Sequence, residues 1–220
     1  MTVPYVPYGT SLLLITTSDS ADRQFSGIQE ACRDLARAPS CYHLVYERQA
    51  LDLSRRRNLR WVVISGHGSA DTPRVGNGGG SAVGNFLLPN DIKLPSRTYL
   101  LLLSCYQGRE VLIKRWIEGT GAAADRALGS TGETESALST LFLLHLLEQD
   151  TESILFWFAK WQEANGKFRP HFPLARRIYQ QNHGSFLRTM ARLGEDLDLS
   201  GLEEFFTGSL DYSNYLDRLA

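Results

Sequence analysis

The sequence predicts an α/β domain built on a mostly parallel sheet with helices on both faces. Short apolar runs rich in β-branched residues alternate with helical patterns over the first two thirds of the 220 residues. The apolar fraction of 43% is enough for a full buried core. We therefore expect a single domain over residues 1–220, with an α/β core over residues 1–150 and a helical extension over residues 151–220 packed on it.

Four short apolar runs predict the strands of the sheet. The run YLLLL at residues 99–103 is apolar at five successive positions, which is typical of a strand covered on both faces. A weaker strand is predicted at residues 126–128, inside a loop of small residues. The four main strands are predicted at residues 11–17, 42–46, 59–65 and 98–104.

Helical patterns follow most of the strands. The first predicted helix begins after a polar loop and ends before Pro39. The glycine-rich stretch DTPRVGNGGGSAVGN at residues 71–85 has neither a helical nor a strand period and predicts a mobile flap. After it, residues 86–95 predict a small hairpin or an excursion at the sheet edge. The predicted helices span residues 21–37, 110–118, 136–148, 152–163, 174–181 and 185–193.

The charge and the cysteine content narrow the class of protein. Lys and Arg number 23 against 24 Asp and Glu, so we expect no nucleic-acid partner and no membrane binding of its own. The run RRR at residues 55–57 is interpreted as a solvated loop. No apolar run is long enough for a membrane span, and the amino terminus lacks a basic leader. Three cysteines without a CxxC spacing indicate neither disulfides nor zinc, so we expect a reduced, cytoplasmic protein without metal or cofactor.

Two of the predicted strands end in residues that can carry chemistry. VVISGHG at residues 62–68 leads to His67, and YLLLLSCYQG at residues 99–108 leads to Cys105. In open parallel sheets the functional crevice lies beyond the carboxyl ends of the strands. If these two strands are neighbours, the two side chains face each other across that edge.

A cysteine and a histidine placed in this way can form a catalytic dyad. The histidine can take the thiol proton, and the thiolate can then attack a carbonyl group. Gly66 and Gly68 carry no Cβ and allow close approach of the backbone. The backbone N–H groups of Gly68 and Cys105 are the predicted oxyanion donors.

Each of these residues also has a structural interpretation. Cys105 alone could be a buried, inert cysteine, and His67 a histidine bonded to backbone in a turn. Cys32 and Cys41 are interpreted as core residues. The other four histidines have no partner cysteine in sequence context, and His183 is interpreted as a helix-end cap; these histidines are His43, His145, His171 and His183.

The two motifs together resemble the caspase-like cysteine peptidases, which include caspases, metacaspases, gingipains, separase and CHAT domains. The sequence GHG after one strand is most similar to the CHAT and gingipain style. A cysteine after the next strand, with Gly108 close behind it, resembles both CHAT domains and metacaspases. Cys105 lies 38 residues after His67, and the resemblance covers about residues 10–150. At the position of Leu103 caspases have Gln and metacaspases have Asp.

The resemblance implies a cysteine endopeptidase that cleaves a specific protein substrate, with Cys105 as nucleophile and His67 as general base and acid. A small bacterial CHAT-like peptidase would suit a proteolytic switch in bacterial defence. The resemblance implies a gasdermin-like pore-former as one target. A partner or regulatory protein would control the peptidase. Two alternatives stay open. The chain could be a catalytically silent scaffold or adaptor, or a hydrolase of small molecules.

The resemblance also implies where the first substrate pocket lies. In this clan the pocket is built from the loop after the first strand, the residues before the cysteine and the loop after the following strand. Acidic walls would favour a basic side chain before the cut bond. The residues at these places are Asp19, Asp22, Leu103 and Asp125, followed by Glu133 and Glu135.

Overall fold

A computed structural model describes residues 5–17, 28–29, 32–33, 35–76, 85–146 and 150–168. The chain divides into two compact units. The first comprises Met1–Phe25 and Cys32–Glu133, and the second comprises Ser26–Ala31 and Thr134–Ala220. The predicted helices at residues 174–181 and 185–193 lie outside the described residues, as does the start of the helix predicted at residues 21–37. Of the described members of that last helix, residues 28, 29, 32, 33 and 35 are helical, and residues 36 and 37 form a turn.

The first unit is built on a five-stranded sheet in which all pairs of strands are parallel. The strand order is β10-β9-β4-β1-β2. This confirms the α/β class and the mostly parallel sheet. The five strands are β1 (Leu12–Thr17), β2 (Cys41–Tyr46), β4 (Trp61–Ser65), β9 (Tyr99–Leu103) and β10 (Ala127–Gly129).

The most apolar strands lie at the centre of the sheet. Every residue of β1 and of β4 is buried, as are the last four residues of β9. A parallel strand covered on both faces has no solvated side, so its sequence reads as a continuous apolar run instead of an alternating one. The observed strand bounds differ from the predicted ones by at most two residues at either end.

Two small sheets accompany the central one. Strands β3 (Leu51–Asp52) and β8 (Ile92–Lys93) form a parallel pair, and β5 (His67–Gly68), β6 (Val75–Gly76) and β7 (Phe86–Leu87) form an antiparallel sheet. The stretch predicted as a hairpin or an edge excursion supplies β7 and β8, which pair with different partners. It is therefore an excursion and not a hairpin. Strands of two residues carry no readable period.

Helix α1 (Glu110–Thr120) begins a few residues after Cys105. It buries Leu112 and Trp116. Gly121 follows it in the left-handed conformation (φ 78°), and its N–H donates to the Ile117 carbonyl, a common way to end a helix.

The second unit contains helices α2 (Ser136–His145) and α3 (Thr151–Phe168). They pack through aromatic rings. The Phe142 ring lies 5.8 Å from that of Phe158 and 5.9 Å from that of Trp161. The first unit ends at Glu133, and α2 and α3 belong to the second unit. The expected single domain over residues 1–220, with an α/β core over residues 1–150, stays a prediction. Within the residues described, no helix is both long and apolar enough to cross a bilayer.

Candidate active site

The two predicted catalytic residues follow neighbouring strands of the central sheet. Strands β4 and β9 pair in parallel, with Ser65 opposite Leu103. Two further residues along each chain lead to His67 and Cys105, so both leave the sheet at the same level of its carboxyl edge. Both residues are half-buried. This is the edge at which open parallel sheets place their functional crevice.

The backbone beside His67 packs directly on the backbone of Cys105. A Cβ added to Gly68 would lie 2.8 Å from the amide nitrogen of Cys105 and would overlap its carbonyl oxygen. Only glycine fits at such an approach. The structure thus sets the turn that carries His67 against the turn that carries Cys105, and it places the two predicted oxyanion donors on adjacent segments.

Cys105 lies at the corner of a strained turn. The Gln107 N–H donates to the Ser104 carbonyl at 3.5 Å, which closes the turn around Cys105 and Tyr106. Tyr106 has a φ of 65°, a conformation that costs a residue with a side chain about 1–2 kcal/mol. Backbone strain of this kind is found at functional sites when the surroundings enforce it.

The segment after β10 enforces this strained turn. The Tyr106 N–H donates to the Gly132 carbonyl at 2.8 Å, and the Gly108 N–H donates to the Ser130 carbonyl at 2.7 Å. A Cβ on Gly108 would overlap the Gly129 carbonyl. This contact is the physical reason for a glycine three residues after the cysteine.

Gln107 ties together the loops that carry His67 and Cys105. Its side chain is fully buried. The amide Nε2 donates to the Ser69 carbonyl at 2.8 Å and to the Thr72 carbonyl at 3.3 Å. The amide Oε1 accepts a hydrogen bond from Trp116 Nε1 at 2.8 Å. Gln107 therefore fixes the chain after β5 against the Cys105 turn and helix α1. Sequence reasoning missed it, because a glutamine in a turn is usually solvated.

Charged groups adjoin the Cys105 turn through Tyr106. The Tyr106 hydroxyl donates to Glu133 Oε1 at 2.7 Å. The Arg109 guanidinium lies over the Tyr106 ring at 4.4 Å from its centroid, a cation–π arrangement. Arg109 Nε also donates to the Thr131 carbonyl at 3.3 Å. Glu133, one of the acids expected in the substrate pocket, is thus hydrogen-bonded to the residue that follows Cys105.

Leu103 and Asp125, which were also predicted for the substrate pocket, are not brought to this place. Leu103 is only 1% exposed and presents no surface to a ligand. Asp125 lies in a short 3₁₀ turn (Ala124–Arg126) just before β10 begins, at the amino end of the sheet. Its position is a correction to the expected pocket. The loop that holds Asp125 enters β10, whereas Cys105 follows the carboxyl end of the parallel neighbour β9. Asp19 and Asp22 lie outside the described residues.

The remaining described cysteines and histidines have surroundings of a different kind. Burial raises the pKa of the Cys32 and Cys41 thiols, which disfavours the thiolate. His43 Nε2 lies 2.8 Å from Thr16 Oγ1, and burial lowers its pKa to about 4, with a further contribution from the Arg33 charge. His145 belongs to the second unit, where it stacks on Trp157. His171 and His183 lie outside the described residues.

The described part of the chain holds no group of three or more His, Cys, Asp or Glu side chains that could bind a metal ion. The chain matches none of the protein-family models, curated proteins or solved structures with which it was compared.

Proposed function

We propose that the protein is a caspase-like cysteine endopeptidase that cleaves a specific protein substrate. The observation that carries this proposal is the contact between Gly68 and the main chain of Cys105 at the carboxyl edge of β4 and β9. It sets a histidine-bearing turn against a cysteine-bearing turn. The strained conformation of Tyr106, and the buried Gln107 amide that ties the two turns together, also support it.

In the proposed reaction, His67 removes the proton from the Cys105 thiol, and the thiolate attacks the carbonyl carbon of the substrate peptide bond. The backbone N–H groups of Gly68 and Cys105 donate to the resulting oxyanion. His67 then protonates the leaving amine as the C–N bond breaks. A water molecule, deprotonated by His67, attacks the acyl-enzyme thioester and releases the new carboxyl end. No cofactor takes part.

The resemblance to CHAT domains points the proposal towards a single protein target. A peptidase of this size would act as a switch by cutting one protein, and a gasdermin-like pore-former in bacterial defence is the target that the resemblance implies. A partner or regulatory protein would control the cut. The cytoplasm is the proposed compartment, because the nucleophile must stay a reduced thiol.

Three variants test the proposal on a peptide library. Cys105→Ala should abolish cleavage, because no other described cysteine follows a strand at this edge. His67→Ala should lower kcat/KM by about a thousandfold, the scale of general-base catalysis. His43→Gln is the matched control and should cleave at the unchanged rate, because His43 lies on β2 and bonds to Thr16.

Several outcomes would overturn the assignment. Full turnover by the Cys105→Ala variant would exclude a cysteine nucleophile. Equal losses in the His67 and His43 variants would mean that the wrong histidine was chosen. A chain that labels at Cys105 with a thiol reagent but cleaves neither peptides nor folded proteins would instead be a silent scaffold. If small esters or amides are cleaved but peptides are not, the protein is a small-molecule hydrolase.

A further inference from the structure

A concave site lies at the amino ends of β4 and β9, whereas Cys105 follows the carboxyl end of β9. It is a cleft of about 630 Å³, here called the arginine cleft. Half of its lining is arginine. The loop before β4 supplies three of the arginines, and the loop before β9 supplies the fourth. The lining residues are Tyr8, Ser54, Arg55, Arg56, Arg57, Pro95, Ser96 and Arg97.

The loops that carry these arginines are held in place by backbone hydrogen bonds. The Arg56 N–H donates to the Leu53 carbonyl at 2.9 Å, and the Thr98 N–H donates to the Pro95 carbonyl at 2.9 Å. The Thr98 hydroxyl donates to the Leu59 carbonyl at 2.9 Å. The Arg97 guanidinium donates to the Arg57 carbonyl, which joins the two loops directly. The cleft is therefore formed by fixed backbone and not by one free loop.

None of the four arginines forms an ion pair with a carboxylate in the described part of the chain. Asp52, which interacts electrostatically with Arg55, accepts hydrogen bonds from the Ser54 N–H at 3.1 Å and the Ser54 hydroxyl at 2.6 Å. The Arg56 guanidinium lies over the Tyr8 ring at 5.2 Å. Four like charges around one cleft repel each other, and a bound polyanion would remove that cost.

We propose that the arginine cleft binds a small molecule that carries two or more phosphate groups. The planar guanidinium fork matches two phosphate oxygens at once, which a single ammonium group cannot do. The volume of the cleft is in the range of small-molecule sites, about 300–1,000 Å³. The net charge of the whole chain is −1, so the four positive charges of the cleft do not belong to a generally basic protein. A compact ligand fits it better than a long polyanion that needs a basic stripe.

Calorimetric titration of the full chain with tripolyphosphate tests this proposal. We expect binding of one ligand per chain, with an affinity that falls as salt is added. The variant Arg55→Gln/Arg57→Gln should bind at least about tenfold more weakly, since each charge-assisted hydrogen bond contributes a factor of that order. The matched control is Lys114→Gln/Arg115→Gln, which removes the same charge from exposed positions of α1 and should bind as the unchanged chain does.

The same titration can contradict the proposal in four ways. Absence of tripolyphosphate binding would overturn it, as would equal weakening in the cleft variant and in the α1 control. Monophosphate is expected to bind at least about tenfold more weakly than tripolyphosphate, and equal affinities would remove the claim of two phosphate groups. If a hexaglutamate peptide or a single-stranded oligonucleotide binds as tightly as tripolyphosphate, the cleft binds polyanions in general and not a small phosphate ligand in particular. Circular dichroism and thermal midpoints without ligand verify that both variants fold.

Discussion

A single methyl group on Gly68 would collide with the main chain of Cys105. We expect Gly68→Ala to lower kcat by about a hundredfold, because a misplacement of about 1 Å at a reacting group has an effect of that size. The control is Gly9→Ala, where an added Cβ would meet no atom within 4 Å. The measurement is steady-state cleavage of the best library peptide, with a folding check. Equal rates for the two variants would show that this close approach does not position the dyad.

The two acids Glu133 and Asp125 were both expected in the substrate pocket, but they lie at opposite ends of the sheet. Glu133 accepts a hydrogen bond from Tyr106, next to Cys105, whereas Asp125 precedes β10. Under the proposed function, Glu133→Gln should lower kcat/KM by about tenfold for peptides with Arg or Lys before the cut bond, and less for Leu. Asp125→Asn should leave kcat/KM unchanged for both kinds of peptide. A preference for Asp before the cut bond would contradict an acidic pocket.

At the scale of elements, Gln107 joins the loop after β5, the Cys105 turn and helix α1. Gln107→Ala leaves Trp116 Nε1 and two carbonyl groups without their partner. We expect a loss of about 2 kcal/mol or more in the free energy of unfolding, because unpaired buried polar groups cost about 1–3 kcal/mol each. Labelling of Cys105 by a peptidyl probe should also slow. Urea denaturation measures the first effect, with Gln49→Ala as a control, and an unchanged midpoint would mean that water replaces the amide.

His43 lies on β2 beside Thr16 of β1, and its burial should make the stability of the protein depend on pH. His43 is held near Thr16 with a pKa of about 4 against the usual 6.5. Between these two values the unfolded chain binds a proton that the folded chain does not bind. The free energy of unfolding should therefore fall as the pH is lowered from 6.5 to about 4. Below pH 4 this histidine should cause no further decrease. In the His43→Gln variant the urea midpoint should change less with pH between 6.5 and 4 than in the unchanged protein. An equal pH dependence in the two proteins would show that His43 is not the titrating group.

The sequence predicted the long elements well and the short ones poorly. A buried parallel strand such as β9 needs an apolar residue at every position, so its pattern is visible without a structure. The predicted helix at residues 152–163 also forms, and its observed end lies five residues later, at Phe168. The two-residue strands β5 to β8 depend on partners elsewhere in the chain, and no local pattern encodes them. The same reason hides Gln107, whose role depends on Ser69, Thr72 and Trp116.

At the scale of the whole molecule, the sequence predicted the class of fold and the edge of the sheet that carries the candidate dyad. It did not predict the division at residue 133, because aromatic positions in a helix show that it is buried but not against which neighbour. The RRR run was interpreted as a solvated loop. The side chains are largely exposed, but the loop before β9 adds Arg97 and turns the run into one wall of the arginine cleft. That neighbour lies 40 residues away from Arg57 in the chain.

The candidate site can be completed only after residues that follow both of its members have been synthesised. Parallel neighbours need a long connection, and such non-local contacts form slowly. The segment that holds the Cys105 turn, from Gly129 to Gly132, is made after both His67 and Cys105. A chain still on the ribosome at residue 105 contains both members of the dyad but not the residues that hold them in register. Under the proposed function, a nascent chain without its assembled dyad would leave the substrate protein uncut.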